Sequence, residues 1–250
     1  MFRTYSTWIL SSKPLEEIEK LATDLDSGVD SAARVFTGER PSPAHRPVVW
    51  ICTGSDQYTA LGNEVGAEGS AHGVFRAEAD MEIEGLGQVR PIIMNWANDW
   101  GPYWIRHAGG YSYAHAMTTA EGLEAPLWFL RGIGGYAERF YAPGVAAWFG
   151  KQHLQKGGVK DVADWFGSFE ISGNLQPSQI DYNIYQAGLV LDFAMSGGNK
   201  DCTEELQAVT EAVIEKDARK FAGSLAKLQK AVVDAEDDLR AFLKATTEKN

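Results

Sequence analysis

The spacing of apolar residues changes near residue 110, and this change limits the folds that the chain can adopt. Up to that point, short β-rich runs at residues 7–10 and 48–53 alternate with an amphipathic helix that follows Ser11 and Ser12. Beyond it, apolar residues recur at the three- and four-residue steps that are typical of helices. We therefore predict an α+β fold, in which an N-terminal mixed β-sheet with helices is followed by a mainly helical half.

Turn-forming residues divide this pattern into segments. The predicted strands cover residues 7–10, 48–53, 74–83 and 89–96, with a glycine-rich loop at 62–73. The predicted helices of the second half cover residues 114–120, 126–140, 145–154, 162–169, 180–195, 204–216 and 217–246. We expect breaks at Gly109-Gly110, Pro143-Gly144, Gly157-Gly158 and Gly197-Gly198. Residues 1–108 then form the sheet part and residues 109–250 the helical part of one compact domain, with a cleft between them.

The charge balance excludes some classes of partner. The chain has 23 lysines and arginines against 34 aspartates and glutamates, a formal net charge of -11. Because the acidic residues recur throughout, we expect no binding to nucleic acid. The apolar runs are shorter than the ~20 residues that span a bilayer, and residues 1–12 lack the features of a signal peptide. We expect a soluble, acidic protein of unknown compartment, with export after loss of a signal peptide as an alternative.

The two cysteines, Cys52 and Cys202, belong to no CxxC or Cys/His cluster. This spacing argues against a disulfide scaffold or a structural zinc site. We expect Cys52, which lies within an apolar run, to be a small buried hydrophobic residue.

Two helical segments carry motifs that point to an ancestry. Residues 128–136 read WFLRGIGGY, and residues 185–193 read YQAGLVLDF. They resemble the W-x-x-E-G-x-x-x-Y helix and the Y-x-Q/A-A-x-x-L-x-x-F helix of the gluzincin metallopeptidases, specifically the peptidase-MA-like group. The resemblance implies a zincin-like fold, in which an HExxH helix and the Glu of the second helix hold a catalytic zinc ion.

The departures from this family pattern fall on the metal site. Aligned by the second helix, HExxH becomes YSYAH at residues 111–115. Tyr111 then stands at the first ligand position, Ser112 at the general base and His115 at the second ligand, while Arg131 replaces the Glu ligand and Tyr136 ends the second motif. A catalytic zinc needs three protein ligands and a carboxylate that deprotonates its water. The resemblance therefore implies degenerate active-site positions, and we expect no catalytic residue, no metal and no cofactor.

The other ionisable residues of this region offer no replacement metal site. We expect His107 to lie beyond the Gly109-Gly110 break and too far from His115 to share a metal. The carboxylates of Glu121, Glu124 and Glu138 are expected to be solvated. A guanidinium in a cleft needs a partner, so we expect Arg131 to contact a carboxylate, a carbonyl group or the ring of Tyr111 or Tyr136.

Aromatic residues are concentrated between residues 96 and 141. We expect residues 96–104 to form a loop because Gly101-Pro102 interrupts them. Aromatic side chains on a loop beside a cleft suit a peptide- or glycan-binding surface. The candidate ligand-binding residues are Trp100, Tyr103, Trp104, Trp128 and Tyr185. The alternative is that the aromatic set packs the helical half against the sheet.

We predict a non-catalytic, peptidase-like protein, a pseudoenzyme whose cleft is either filled or reused to bind a peptide, a glycan or a protein partner. One alternative is a divergent metal-dependent hydrolase or peptidase whose site is assembled from residues distant in sequence. Another is a structural subunit of a complex, with an exposed apolar face on the last helix.

Overall fold

A computed structural model of the chain describes residues 1–36, 46–65, 73–78, 80–96, 101–119, 122–141, 143–169, 171 and 175–248. The strands are β1 (Phe2–Arg3), β2 (Trp8–Ser11), β3 (Val48–Cys52), β4 (Val74–Arg76), β5 (Met81–Ile83), β6 (Gly87–Val89) and β7 (Ile92–Asn95). The helices are α1 (Leu15–Val35), α2 (Ser55–Glu64), α3 (Gly101–Thr119), α4 (Leu127–Tyr141), α5 (Pro143–Gln155), α6 (Val162–Gly167), α7 (Pro177–Met195), α8 (Lys200–Ile214), α9 (Ala218–Asp234) and α10 (Glu236–Glu248). The predicted α+β order, a mixed sheet followed by helices, is confirmed.

The central sheet has five strands in the order β1-β2-β3-β7-β4. β2, β3 and β7 run parallel, with Ile9 paired to Val49 and Val49 to Ile92. The outer strands β1 and β4 are antiparallel to their neighbours. β5 and β6 form a separate hairpin, whose turn contains Gly85 at a φ of 82°.

Helices cover both faces of the sheet. Because successive side chains of a strand point to opposite faces, alternate residues of β3 contact different helices. Val49 and Ile51 of β3 belong to the main core with α1, α3 and α4. Cys52 lies on the opposite face in a smaller core, with Tyr58 and Leu61 of α2. Burial raises the pKa of the Cys52 thiol to about 12, so the expectation of a buried hydrophobic cysteine is confirmed.

Several predicted boundaries were wrong. α2 was not predicted, and the run at residues 74–83 forms two strands, β4 and β5, in different sheets. The helix expected at residues 217–246 is two helices, because α9 ends before Ala235. The apolar stripe of α9 and α10 is buried, so the described part of the last helix offers no exposed apolar face of the kind expected for a structural subunit.

The predicted loop at residues 101–104 and the predicted break at Gly109-Gly110 were also wrong. α3 is continuous from Gly101 to Thr119 and runs across the expected boundary between residues 108 and 109. Gly109 lies where α3 crosses α1, and a Cβ atom there would collide with the backbone carbonyl of Leu25. Glycine at this position therefore permits a close helix crossing, whose packing outweighs its low helix propensity.

A second close crossing joins α4 to α7. A Cβ atom on Gly135 would lie 2.9 Å from the Cα atom of Gly188, and one on Gly188 would lie 2.9 Å from the carbonyl carbon of Gly135. The backbones of the two helices are therefore in direct contact. This contact sets the position of α4, the helix that carries Arg131.

In the part of the chain that the structure describes, no helix is both long enough and apolar enough to cross a lipid bilayer.

Candidate functional site

The continuous helix α3 places His107, Tyr111 and His115 one turn apart along one side. All three side chains are buried. α4 packs against α3 and supplies Arg131, Tyr136 and Glu138. The residues aligned with the family's metal site thus lie on two helices in mutual contact.

Arg131 is 1% exposed, although it carries a permanent charge. Its Nη2 donates a hydrogen bond to the carbonyl oxygen of Val74 on β4, at 2.6 Å. Its Cζ atom lies 4.4 Å from the centre of the Tyr111 ring, which is the geometry of a cation–π interaction. The expectation that Arg131 would contact a carbonyl group or the Tyr111 ring is confirmed.

His107 connects Arg131 to a carboxylate. Its Nε2 lies 3.3 Å from Nη1 of Arg131, and its Nδ1 lies 2.7 Å from Oε1 of Glu138. Burial, and then the charge of Arg131, hold the pKa of His107 well below its usual value. The 2.7 Å contact with the carboxylate suits a neutral ring with its hydrogen on Nδ1, because Nε2 then accepts from Nη1 of Arg131. We call His107, Tyr111, Arg131 and Glu138 the Arg131 cluster.

This arrangement of His107, Arg131 and Glu138 was not predicted from the sequence. Glu138 was expected to be solvated and is buried, whereas Glu124 is exposed as expected. Glu121 lies outside the described residues. The available signal was spacing, because Arg131 and Glu138 are two helical turns apart and so share one side of α4. Tyr136 is also buried, on another side of the same helix.

Ser112 and His115 face a different environment. They line a pocket of about 360 Å³ between α3 and the β5–β6 hairpin region. Ser112 Oγ donates to the carbonyl oxygen of Gly109 at 2.9 Å. Burial, and then the charges of Arg76 and Arg90, lower the pKa of His115 to about 4, so this ring is neutral at pH 7.

Of the aromatic residues predicted to bind a ligand, the three whose side chains the structure describes, Trp104, Trp128 and Tyr185, do not share one surface. Trp104 is 6% exposed and packs edge-on against His107, with ring centres 6.5 Å apart. Trp128 is 2% exposed and contacts Phe166 of α6, at 4.9 Å between ring centres. Both tryptophans belong to the main core. Trp100 and the side chain of Tyr103 lie outside the described residues.

Tyr185 belongs to a second buried polar group, formed by α4, α5 and α7. The guanidinium of Arg139 lies 5.0 Å from the Tyr185 ring and donates through Nε to Asp192 at 3.0 Å. His153 stacks on Tyr182 with ring centres 4.3 Å apart and lies 5.0 Å from Tyr185. Tyr185 therefore does not line the pocket beside His115.

Within the described ranges, no three His, Cys, Asp or Glu side chains come together as a potential metal-binding group. Comparison of the chain with protein-family models, with curated proteins and with solved structures gives no match.

Proposed function

We propose that this protein is a non-catalytic relative of the gluzincin peptidases, with a zincin-like fold, that binds a ligand rather than cleaving it. One observation carries the proposal: Arg131 lies over Tyr111. The motif resemblance aligns these residues with two ligands of the family's zinc ion. Their mutual contact supports that alignment, because two ligands of one metal must lie close together.

The same contact argues against catalysis at this position. A fixed guanidinium repels a dication at short range by several kcal/mol at intermediate dielectric. The carbonyl oxygen of Val74 and the ring of His107 hold the guanidinium in place. Ser112, aligned with the general base, has no carboxylate, and its hydroxyl group already donates to Gly109.

The burial of Trp104 and Trp128 favours a filled interior over an open aromatic cleft. The pocket beside His115, in contrast, is open space bordered by Ser112 and His115, two of the residues aligned with the family's metal site. A binding role for the protein therefore depends on this pocket.

The test restores the metal-site pattern with Tyr111→His, Ser112→Glu and Arg131→Glu in one chain. We expect this triple variant to gain zinc, because it supplies two histidines, a carboxylate ligand and a base. The matched control is the double variant Tyr111→His, Ser112→Glu, which keeps the repelling Arg131. Zinc per folded chain is measured by elemental analysis after dialysis, with circular dichroism as the check on folding.

We expect the wild-type protein and the double variant to hold no stoichiometric zinc and to leave casein intact. Equal zinc binding by the double and triple variants would show that Arg131 does not control the site. Peptide cleavage by the wild-type protein would overturn the proposal itself.

A further inference from the structure

The pocket beside His115 has walls from three parts of the chain. α3 contributes His115, the start of β3 and the segment before it contribute Val48 and Arg46, and the segment from β6 to β7 contributes Arg90. We call this space the His115 pocket. At about 360 Å³ it lies at the lower end of the range for small-ligand sites.

The charged groups of the pocket favour an anion. Arg46 and Arg90 approach from different segments, and Asp80 is the acidic residue among the described residues of the lining. Asp80 contacts Nε of Arg90 at 2.9 Å, and Nη1 of Arg46 donates to the carbonyl oxygen of Thr4 at 2.7 Å. Among the described lining residues, two guanidinium groups face one carboxylate and leave an excess positive charge, although the whole chain carries -11.

A buried polar atom gives an independent reason to expect a ligand. His115 is 7% exposed, and its Nε2 has no hydrogen-bond partner among the described residues. Leaving a buried donor or acceptor unsatisfied costs about 1–3 kcal/mol. A polar ligand atom in this pocket would remove that cost.

The rest of the lining is mainly apolar. Val48, Val89, Ile92 and Ala116 border the same space as the charged groups. A bare inorganic anion would leave these side chains without a partner, whereas an acid with an apolar substituent would cover them. Guanidinium groups suit a carboxylate because two of their N–H groups can donate to its two oxygens.

We propose that the His115 pocket binds a carboxylate that carries a short apolar group, either at the C-terminus of a peptide or in a small free acid. This inference deepens the proposed function, on which it rests for the binding role, by naming the chemical class of the ligand. Arg46 and Arg90 hold the carboxylate, His115 makes a further hydrogen bond, and the apolar wall selects the substituent.

The test uses isothermal titration of the full chain with N-acetyl-alanyl-leucine and with the same dipeptide amidated at its C-terminus. We expect the free acid to bind at least tenfold more tightly than the amide, because the amide carries no negative charge. Arg46→Gln and Arg90→Gln should each weaken binding of the acid about tenfold or more. Arg219→Gln, at an exposed position on α9, removes the same charge elsewhere and should leave binding unchanged.

Two further probes identify the source of the carboxylate. N-acetyl-leucine binding as tightly as the dipeptide acid indicates a small free acid, whereas a gain in affinity with peptide length indicates a peptide end. Tighter binding of inorganic phosphate than of either acid would overturn the assignment to carboxylates.

Equal binding of the acid and the amide, or no binding of either acid at millimolar concentration, would also overturn the inference. So would an equal loss in the Arg219→Gln variant. These results are separable from the zinc experiment, which involves Arg131 rather than Arg46 or Arg90. Zinc gain by the triple variant without acid binding would remove only this inference, and peptide cleavage by the wild type would remove the proposed function.

Discussion

The crossing of α4 and α7 predicts opposite effects for the same substitution at two helical glycines. Gly135 lies at the crossing, and a Cβ atom there would lie 2.9 Å from Cα of Gly188. Gly223 lies on the exposed side of α9, where a Cβ atom would have no neighbour within 4 Å in the described residues beyond the adjacent backbone of its own helix. We expect Gly135→Ala to destabilise the protein and Gly223→Ala to stabilise it.

The magnitudes follow from distance and helix propensity. Carbon atoms pack best at about 3.5–4.0 Å. The methyl group added by Gly135→Ala would therefore push against the backbone of α7 and force α4 and α7 apart. Such overpacking costs about 3 kcal/mol at the upper end of the usual range. Alanine regains about 1 kcal/mol of helix propensity over glycine. The expected net change in the free energy of unfolding is a loss of about 2 kcal/mol for Gly135→Ala and a gain of up to about 1 kcal/mol for Gly223→Ala.

Thermal unfolding monitored by circular dichroism measures both variants. For a chain of this size, we expect Tm to fall by about 4–8 °C in Gly135→Ala and to rise by about 2–4 °C in Gly223→Ala. A double variant that also carries Gly188→Ala should lose less than the sum of its single variants, because the helices are already separated. Shifts of the same sign at Gly135 and Gly223 would refute the close crossing.

Three other predictions concern buried side chains. Trp104→Ala should destabilise the protein by about 3–5 kcal/mol in urea unfolding, whereas Trp148→Ala, at a position 47% exposed, should cost under half of that; equal effects would contradict the burial of Trp104. Burial holds the pKa of His153 at about 4 against an ordinary 6.5, so its contribution to stability is complete above pH 6.5 and is lost as the pH falls toward 4. His153→Gln should therefore flatten the stability profile between pH 6.5 and 4, and an unchanged slope would count against a buried neutral ring. Cys52 should resist iodoacetamide at pH 8 in the folded protein and react once guanidinium unfolds it, because its thiol is buried with a pKa of about 12; labelling of folded protein at the rate of unfolded protein would disprove this.

Local sequence patterns predicted much of the fold and failed where tertiary packing decided the outcome. The apolar stripe of α1 indicates a helix because burial of one face imposes a helical period. The continuous apolar run of β3 indicates a strand because both of its faces are buried. Gly109-Gly110 suggested a break, since glycine lowers helix propensity. The crossing of α3 with α1 depends on the small volume of Gly109. Its neighbour there, Leu25 of α1, is more than eighty residues away in sequence. No local pattern carries this contact.

The candidate site divides in the same way. The partner type of Arg131 was predictable, because a buried guanidinium needs a carbonyl group or an aromatic face. The bridge from Arg131 through His107 to Glu138 joins two helices whose register depends on the packing of α3 against α4. Arg46 and Arg90 were also missed, since the pocket they share with His115 is formed by segments that meet only in the folded chain.

The Arg131 cluster predicts which residues should vary together in related chains. Arg131 and Glu138 cancel in charge across a neutral ring, so the core contains a balanced pair. Removing one member would strand an ion in the interior at a cost of about 3–5 kcal/mol. We expect evolution to keep or discard the arginine and the glutamate together. At position 107, glutamine is the tolerated replacement, because its amide also offers one donor and one acceptor.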